Sequence, residues 1–154
     1  MTQILEKIFR SSLNKYKNIW WFIKLQVHPL SYTKSPADFL VMDGKRRVLV
    51  ECKECDCRKR KGTFEFARLS QKADMLKFDA IHSANRAYVL ISFRDRFIKN
   101  SDFYMIPICG YCVFEQSIPK KSANRKDFSE HLDIYRMKLD NKLLGLDNIF
   151  HYIY

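Results

Sequence analysis

The chain has no apolar run approaching the ~20 residues that a helical bilayer span needs, so no transmembrane helix is expected. Its first ten residues, Met1 to Arg10, alternate polar and apolar side chains and lack the charged head, apolar block and small-residue cleavage site of a secretory leader. The expectation is a cytoplasmic protein in a reducing compartment. Internal repeats and low-complexity tracts are also missing. Cysteine is sparse and odd in number, at 52, 55, 57, 109 and 112, which fits free thiols better than a disulfide framework. Negative charge is scarce as well: 17 Asp and Glu stand against 28 Lys and Arg, a formal charge of +11. So large an excess implies an anionic partner, and with no membrane span that partner is expected to be nucleic acid.

What is present is enough apolar residue, 47% of 154, to build one core, and the whole chain 1–154 reads as a single domain. Ile4, Leu5, Ile8, Phe9, Leu13 and Tyr16 recur at helical spacing and predict a first helix over about Thr2 to Lys17, with Glu6 at the flank of the stripe. Trp20 to Val27 reads as a strand, followed by a loop through Pro29 and Ser31 to Ser35. Phe39 to Met42 and Arg46 to Glu54 read as two strands joined by an Asp43-Gly44 turn. Phe66, Leu69, Ala73, Leu76 and Ala80 outline a second helix ending near Ser83. Tyr88 to Phe93 suits a strand buried on both faces, and Phe103 to Ile108 an edge strand because of Pro107. The core then covers about 1–108, and a C-terminal extension over about 111–154 is expected to be short helices.

The hairpin carries the candidate chemistry. A two-residue turn at Asp43-Gly44 puts Asp38 opposite Leu49, on the face shared by Glu51 and Lys53. Asp38 and Glu51 are then diagonal neighbours with Cα atoms about 7–8 Å apart, close enough to grip one cation between them. Phosphodiester hydrolysis needs an activated water and charge neutralisation at the phosphorus, which a hard divalent ion supplies together. Lys53 is placed to orient or deprotonate that water, or to stabilise the transition state as a cation. An Asp followed downstream by Glu-x-Lys also arises by chance in a charge-rich chain, where the same residues would form a solvated strand face. Against that stand four agreeing features: the register, Pro36 before Asp38, the apolar run ending in Glu51, and a basic loop behind Lys53.

Ser35-Pro36-Ala37-Asp38 followed by Glu51-Cys52-Lys53-Glu54 resembles the signature of PD-(D/E)xK nucleases, particularly Holliday-junction resolvases of the RecU and archaeal types. The likeness extends loosely to Ala87 to Phe93, to Phe103 through Pro107 and to the tail around Phe128 to Ile149. It implies an α/β fold: a restriction-endonuclease-like core with a mixed sheet flanked by helices, in the order αβββαββ plus short C-terminal helices. It implies Mg2+, with Mn2+ as a substitute, held by Asp38, Glu51 and the backbone carbonyl of Cys52. It further implies a homodimer making paired, symmetric nicks in a four-way junction and leaving 5′ phosphates. Glu6 is the candidate for the extra glutamate that such resolvases carry on their first helix, and Gln71 for a glutamine after the ExK strand. The chain departs from the RecU pattern between Ile23 and Ser35, where that type has a longer projecting stalk.

Lys34 and Ser35, Lys45-Arg46-Arg47 and Arg58-Lys59-Arg60-Lys61 are the candidate DNA contacts, with Lys120-Lys121 and Arg125-Lys126 as a further basic cluster. Cys52-x-x-Cys55 and Cys109-x-x-Cys112 have zinc-knuckle spacing, but a continuous strand would send Cys52 and Cys55 to opposite faces. The four histidines show no paired ligand spacing. Two alternatives stand beside the resolvase reading: a restriction- or repair-type nuclease with the same chemistry, and a non-catalytic basic DNA-binding module.

Overall fold

The computed structural model describes residues 4–26, 34–60 and 62–146, with the backbone alone at 59 and 60. Helix α1 (Ile4–Asn14) turns Leu5, Ile8, Phe9 and Leu13 inward, as its apolar spacing requires. It is shorter than expected at its C-terminal end, because residues 15–19 form turns, and the expected start at Thr2 lies outside the described residues. Ser12 completes the buried face: its hydroxyl donates to the Ile8 carbonyl at 2.7 Å and accepts from the Leu144 amide at 2.8 Å.

The sheet is built from β1 (Trp21–Lys24), β2 (Phe39–Met42), β3 (Arg47–Asp56), β5 (Asn85–Arg94), β6 (Asp102–Pro107) and β8 (Arg136–Met137), in that spatial order. β3 and β5 run parallel and every other pair is antiparallel, so the sheet is mixed. The parallel pair needs a crossover, which α3 (Lys72–Ile81) provides. Alternation along the two long strands sorts their side chains between two cores. Val48, Val50, Cys52 and Leu90 pack with α1, while Leu49, Cys55, Val89 and Ile91 pack with Met75 of α3 and with α4 (Ile108–Ser117) and α5 (Arg125–His131).

Three expectations are corrected. The second helix does not run from Phe66 to Ser83. β3 is followed by a short helical turn α2 (Cys57–Arg60) and strand β4 (Thr63–Glu65), then a 3-10 turn at Phe66–Arg68, and α3 begins only at Lys72. Tertiary contacts override the local pattern there: Arg68 donates to the Glu54 carbonyl at 2.9 Å and lies over the Phe64 ring, and the Phe66 amide donates to the Lys121 carbonyl at 3.1 Å. Strand β6 is not the sheet edge, since β8 pairs with Phe103 and Tyr104. Pro107 is tolerated because it closes the strand and caps α4, where a missing N–H leaves no ladder bond unmade. The C-terminal part contributes strands as well as helices. β7 (Ser122–Asn124) pairs with β4, and β9 (Leu139–Asp140) with β10 (Leu143–Leu144) form a hairpin that reaches α1 through Ser12. Two- and three-residue strands carry too little periodicity to be seen in a sequence.

Candidate active site

The hairpin register differs from the expected one by two residues. Leu40, not Asp38, lies opposite Leu49, and Phe39 lies opposite Val50. The turn is centred on Gly44-Lys45, because the Asp43 carboxylate captures the amides of Lys45 at 3.0 Å and Arg46 at 2.7 Å, and the Asp43 amide closes on the Arg46 carbonyl. Asp at the first corner of a turn does this readily. A shift of two keeps every side chain on its face. The paired register ends at Phe39, and Asp38, at a bend one residue before it, lies close enough to Glu51 to act on its carboxyl without being its ladder partner.

Asp38 sits where β2 begins, tied to both neighbouring strands. Its amide donates to the Val50 carbonyl at 3.1 Å and its carbonyl accepts from the Leu25 amide at 2.8 Å. Its carboxylate accepts from the Cys52 amide at 2.7 Å, standing in for a ladder bond that β2 is too short to make. Glu51 is 1% exposed, and one of its oxygens accepts from the Lys53 ammonium at 2.5 Å. Its other oxygen, Oε2, is buried with no hydrogen-bond partner. Such an orphaned acceptor is costly unless something else satisfies it.

The electrostatics follow from this crowding. Burial, then the charge of Asp38, pushes the Glu51 carboxyl up to about 7, with Lys53 opposing. Asp38 is also raised, first by burial and further by Glu6; the Cys52 amide, Lys53 and Lys24 act the other way. The buried Cys52 thiol is pushed up by burial and then by Asp38, Glu6 and Glu51.

Among the described residues, no group of three or more His, Cys, Asp or Glu side chains is gathered closely enough to hold a metal ion. Asp38 and Glu51 are a pair. A residue in an extended strand sends its N–H and C=O to the same side, so the Cys52 carbonyl leaves β3 on the edge that faces Asp38. Two carboxylates and a peptide carbonyl are hard oxygen donors, the set that suits Mg2+, an ion that keeps much of its own water. The orphaned Glu51 Oε2 is the observation that fits a cation there.

The other candidate residues divide. Glu6 reaches the site from α1: it pairs with Lys24 of β1, and its charge is felt by Asp38. Lys24 was not anticipated, and only the alternation of Trp21 to Lys24 could have hinted at it. Gln71 lies just before α3, where it accepts from the Ser70 hydroxyl at 3.1 Å, and no hydrogen bond among the described residues links it to Asp38, Glu51 or Lys53. Arg58 is held by Asp56 through two bonds of 2.9 Å, and that pairing draws the Asp56 carboxyl down to about 2. Lys61 and the side chains of Lys59 and Arg60 lie outside the described residues. Lys34, Lys45 and Arg47 are exposed, Ser35 donates to the Ala37 carbonyl, and Arg46 lies against Asp43 and the Trp20 ring. The Lys45 to Arg47 cluster stands at the far end of the hairpin, roughly 16 Å along the strand from Asp38.

All five cysteines are free, with Cys52 in the α1-side core and Cys55 in the opposite one. The protein purified without added metal is therefore expected to carry no stoichiometric zinc, and a zinc chelator to leave its thermal midpoint unchanged. Elemental analysis with thermal unfolding checks this, and a chelator-induced drop of several degrees would refute it.

No protein-family model matches the chain, and no curated protein matches its sequence. Among solved structures it matches Hjc of Archaeoglobus fulgidus, a Holliday junction resolvase from an archaeal hyperthermophile, with 15% identity over 85% of this chain and 94% of that one and a TM-score of 0.49. A likeness of that size carries no argument about activity. No helix among the described residues is long and apolar enough to cross a membrane.

Proposed function

We propose that this chain is a divalent-metal-dependent endodeoxyribonuclease of the PD-(D/E)xK type, and that its substrate is a four-way DNA junction cut by paired, symmetric nicks from a homodimer. The observation that supports the chemistry is the placement of Asp38 beside Glu51, whose carboxyl it raises, with the buried Glu51 Oε2 left without a hydrogen-bond partner. The junction preference and the two-fold assembly rest on the sequence resemblance alone; a protein two-fold would match the junction's own symmetry.

Asp38, Glu51 and the Cys52 carbonyl would hold Mg2+ or Mn2+. When bound, such an ion supplies Lewis-acid stabilisation of the phosphoryl oxygens and a more acidic water. Lys53, whose ammonium already lies against Glu51, is the group that would donate to a phosphate oxygen or orient the attacking water. Asp38 is kept in place by the Cys52 amide. Glu6, tied to Lys24, would add negative charge beside the pair and so favour a bound cation. Gln71 stays in the proposal as a candidate whose bond among the described residues is to Ser70 and not to the site. Lys34, Ser35, the Lys45 to Arg47 cluster and the Arg58 to Lys61 loop would bind phosphates and position the backbone without reading bases.

The test is cleavage of a synthetic four-way junction in Mg2+, with its linear arms as competitor. The junction should be cut at symmetric positions, with about tenfold or greater preference over the arms. Equal cutting of linear duplex would point to a restriction- or repair-type enzyme, and no cutting in either Mg2+ or Mn2+ would overturn the assignment.

A further inference from the structure

An open groove of about 1300 Å³ lies beyond the candidate active site, on the far side of the sheet from β2. It is walled by the β5–β6 connection and by the segment from Asp133 through Lys142. Six basic residues line it, Arg96, Lys99, Arg125, Arg136, Lys138 and Lys142, against two acidic ones, Asp102 and Asp133. Of these, only Arg125 belongs to a cluster evident from the sequence.

The cations are of two kinds. Asp102 is 7% exposed and holds both Arg125 and Arg136 by ion pairs, and Arg125 is further tied to the Asn100 carbonyl. These two guanidiniums are held by their partners while staying partly open to solvent. Arg96, Lys99, Lys138 and Lys142 are exposed and make no ion pair among the described residues, so their charges remain available. Beside them Phe97 is 56% exposed with the Arg96 guanidinium over its ring, a flat surface on which a sugar or base can lie.

The turn that carries Lys142 supplies independent support. β9 and β10 pair Asp140 with Leu143, which leaves Asn141 and Lys142 as a two-residue loop. Both have positive φ, 46° and 66°, the geometry of a tight hairpin turn that favours Asn followed by Gly. Asn suits the first place, but Lys in the second accepts a steric penalty that Gly would avoid. Strain of this kind points to a function for the side chain. Here it places an ammonium on the groove wall.

From these observations we infer that the groove binds a second stretch of the substrate's phosphate backbone, away from the bond being cut. The register sets the spacing: Glu51 is level with Val89, whereas Asp102 pairs with Phe93, four residues further on and two strands across from β3. That amounts to roughly 16 Å, the rise of about five base pairs. The inference depends on the nuclease reading for the identity of the polymer. An array of separated cations along one open groove is what a polyanion requires and a single small phosphate does not.

The test measures binding of a labelled four-way junction in Ca2+, across a salt series, for the wild type, Lys142→Gly and the Lys99→Gln/Lys142→Gly double variant, with thermal unfolding in parallel. The double variant is expected to bind about tenfold more weakly, and its plot of log affinity against log salt to be shallower by about one for each lysine. Lys142→Gly should unfold at the same or a higher temperature than the wild type, since the turn is relieved. Unchanged affinity and slope would overturn the proposal, as would weakened binding that tracks a lower unfolding temperature. Loss of binding to anionic phospholipid vesicles with junction binding intact would overturn it in favour of a membrane surface. Magnesium cleavage by the wild type is scored separately, so an inactive protein would sink the nuclease reading while leaving the binding result to stand by itself.

Discussion

Glu51→Gln and Asp38→Asn are each expected to lose magnesium-dependent nicking by about 10³-fold or more, while four-way junction binding in Ca2+ stays within about threefold of the wild type. Each substitution keeps the side chain's shape and removes one charged oxygen ligand. In Asp38→Asn the new amide oxygen can still accept from the Cys52 amide, so the start of β2 should stay in register. The basic surface that supplies non-specific affinity is untouched by either change. Cleavage kinetics and a calcium binding titration separate the two effects. Full activity in either variant would mean that the two carboxylates do not hold the ion. Joint loss of activity and binding would mean that the change disrupted the fold instead.

Glu51→Gln should also stabilise the metal-free protein at neutral pH and flatten its pH dependence. The Glu51 carboxyl stands at about 7 when folded, against an ordinary value of 4.5. Between those values the folded chain holds a proton that the unfolded chain has released, so stability falls as pH rises through that window. The loss attached to this one group is up to about 3 kcal/mol, and it is complete above pH 7, where Glu51 is charged, buried and half unsatisfied. The raised Asp38 carboxyl acts in the same direction. Removing the charge at 51 removes the penalty, and the unfolding temperatures of variant and wild type should separate most above pH 7 and converge near pH 4.5. Mg2+ should raise the wild-type midpoint and leave Glu51→Gln nearly unaffected. A variant less stable than the wild type at pH 8 would contradict this account. The two expected results belong together, since a site that strains the folded chain in order to hold a cation gains stability when it is disabled.

Much of this was legible before any coordinates. The apolar runs at Val48 to Val50 and Val89 to Ile91 do form the two central strands, buried on both faces. The parity of the paired residues Phe39 to Met42 against β3 is the expected one despite the different turn, because the true register differs by an even number of residues. The turn itself was misplaced by one residue: Asp-Gly suggests a tight turn centred on that dipeptide, whereas the Asp43 side chain makes it the corner of a turn one step later. Phe66 and Leu69 read as part of a helical stripe and instead drop into the core at the first residue of a 3-10 turn and just after its last, a turn that long-range bonds from Arg68 and to Lys121 hold in place.

The amino-acid order alone settles which side chains share a face and where net positive charge accumulates, because alternation along a strand and the count of ionisable groups are local properties. Tertiary structure alone decided that Asp38 comes to lie beside Glu51, that Glu6 and Lys24 reach the same spot, and that β8 and a strained lysine turn wall a basic groove. Those outcomes depend on hydrogen bonds and ion pairs between segments far apart in the chain, and no local periodicity encodes which distant partner a short strand or a single charged group will find.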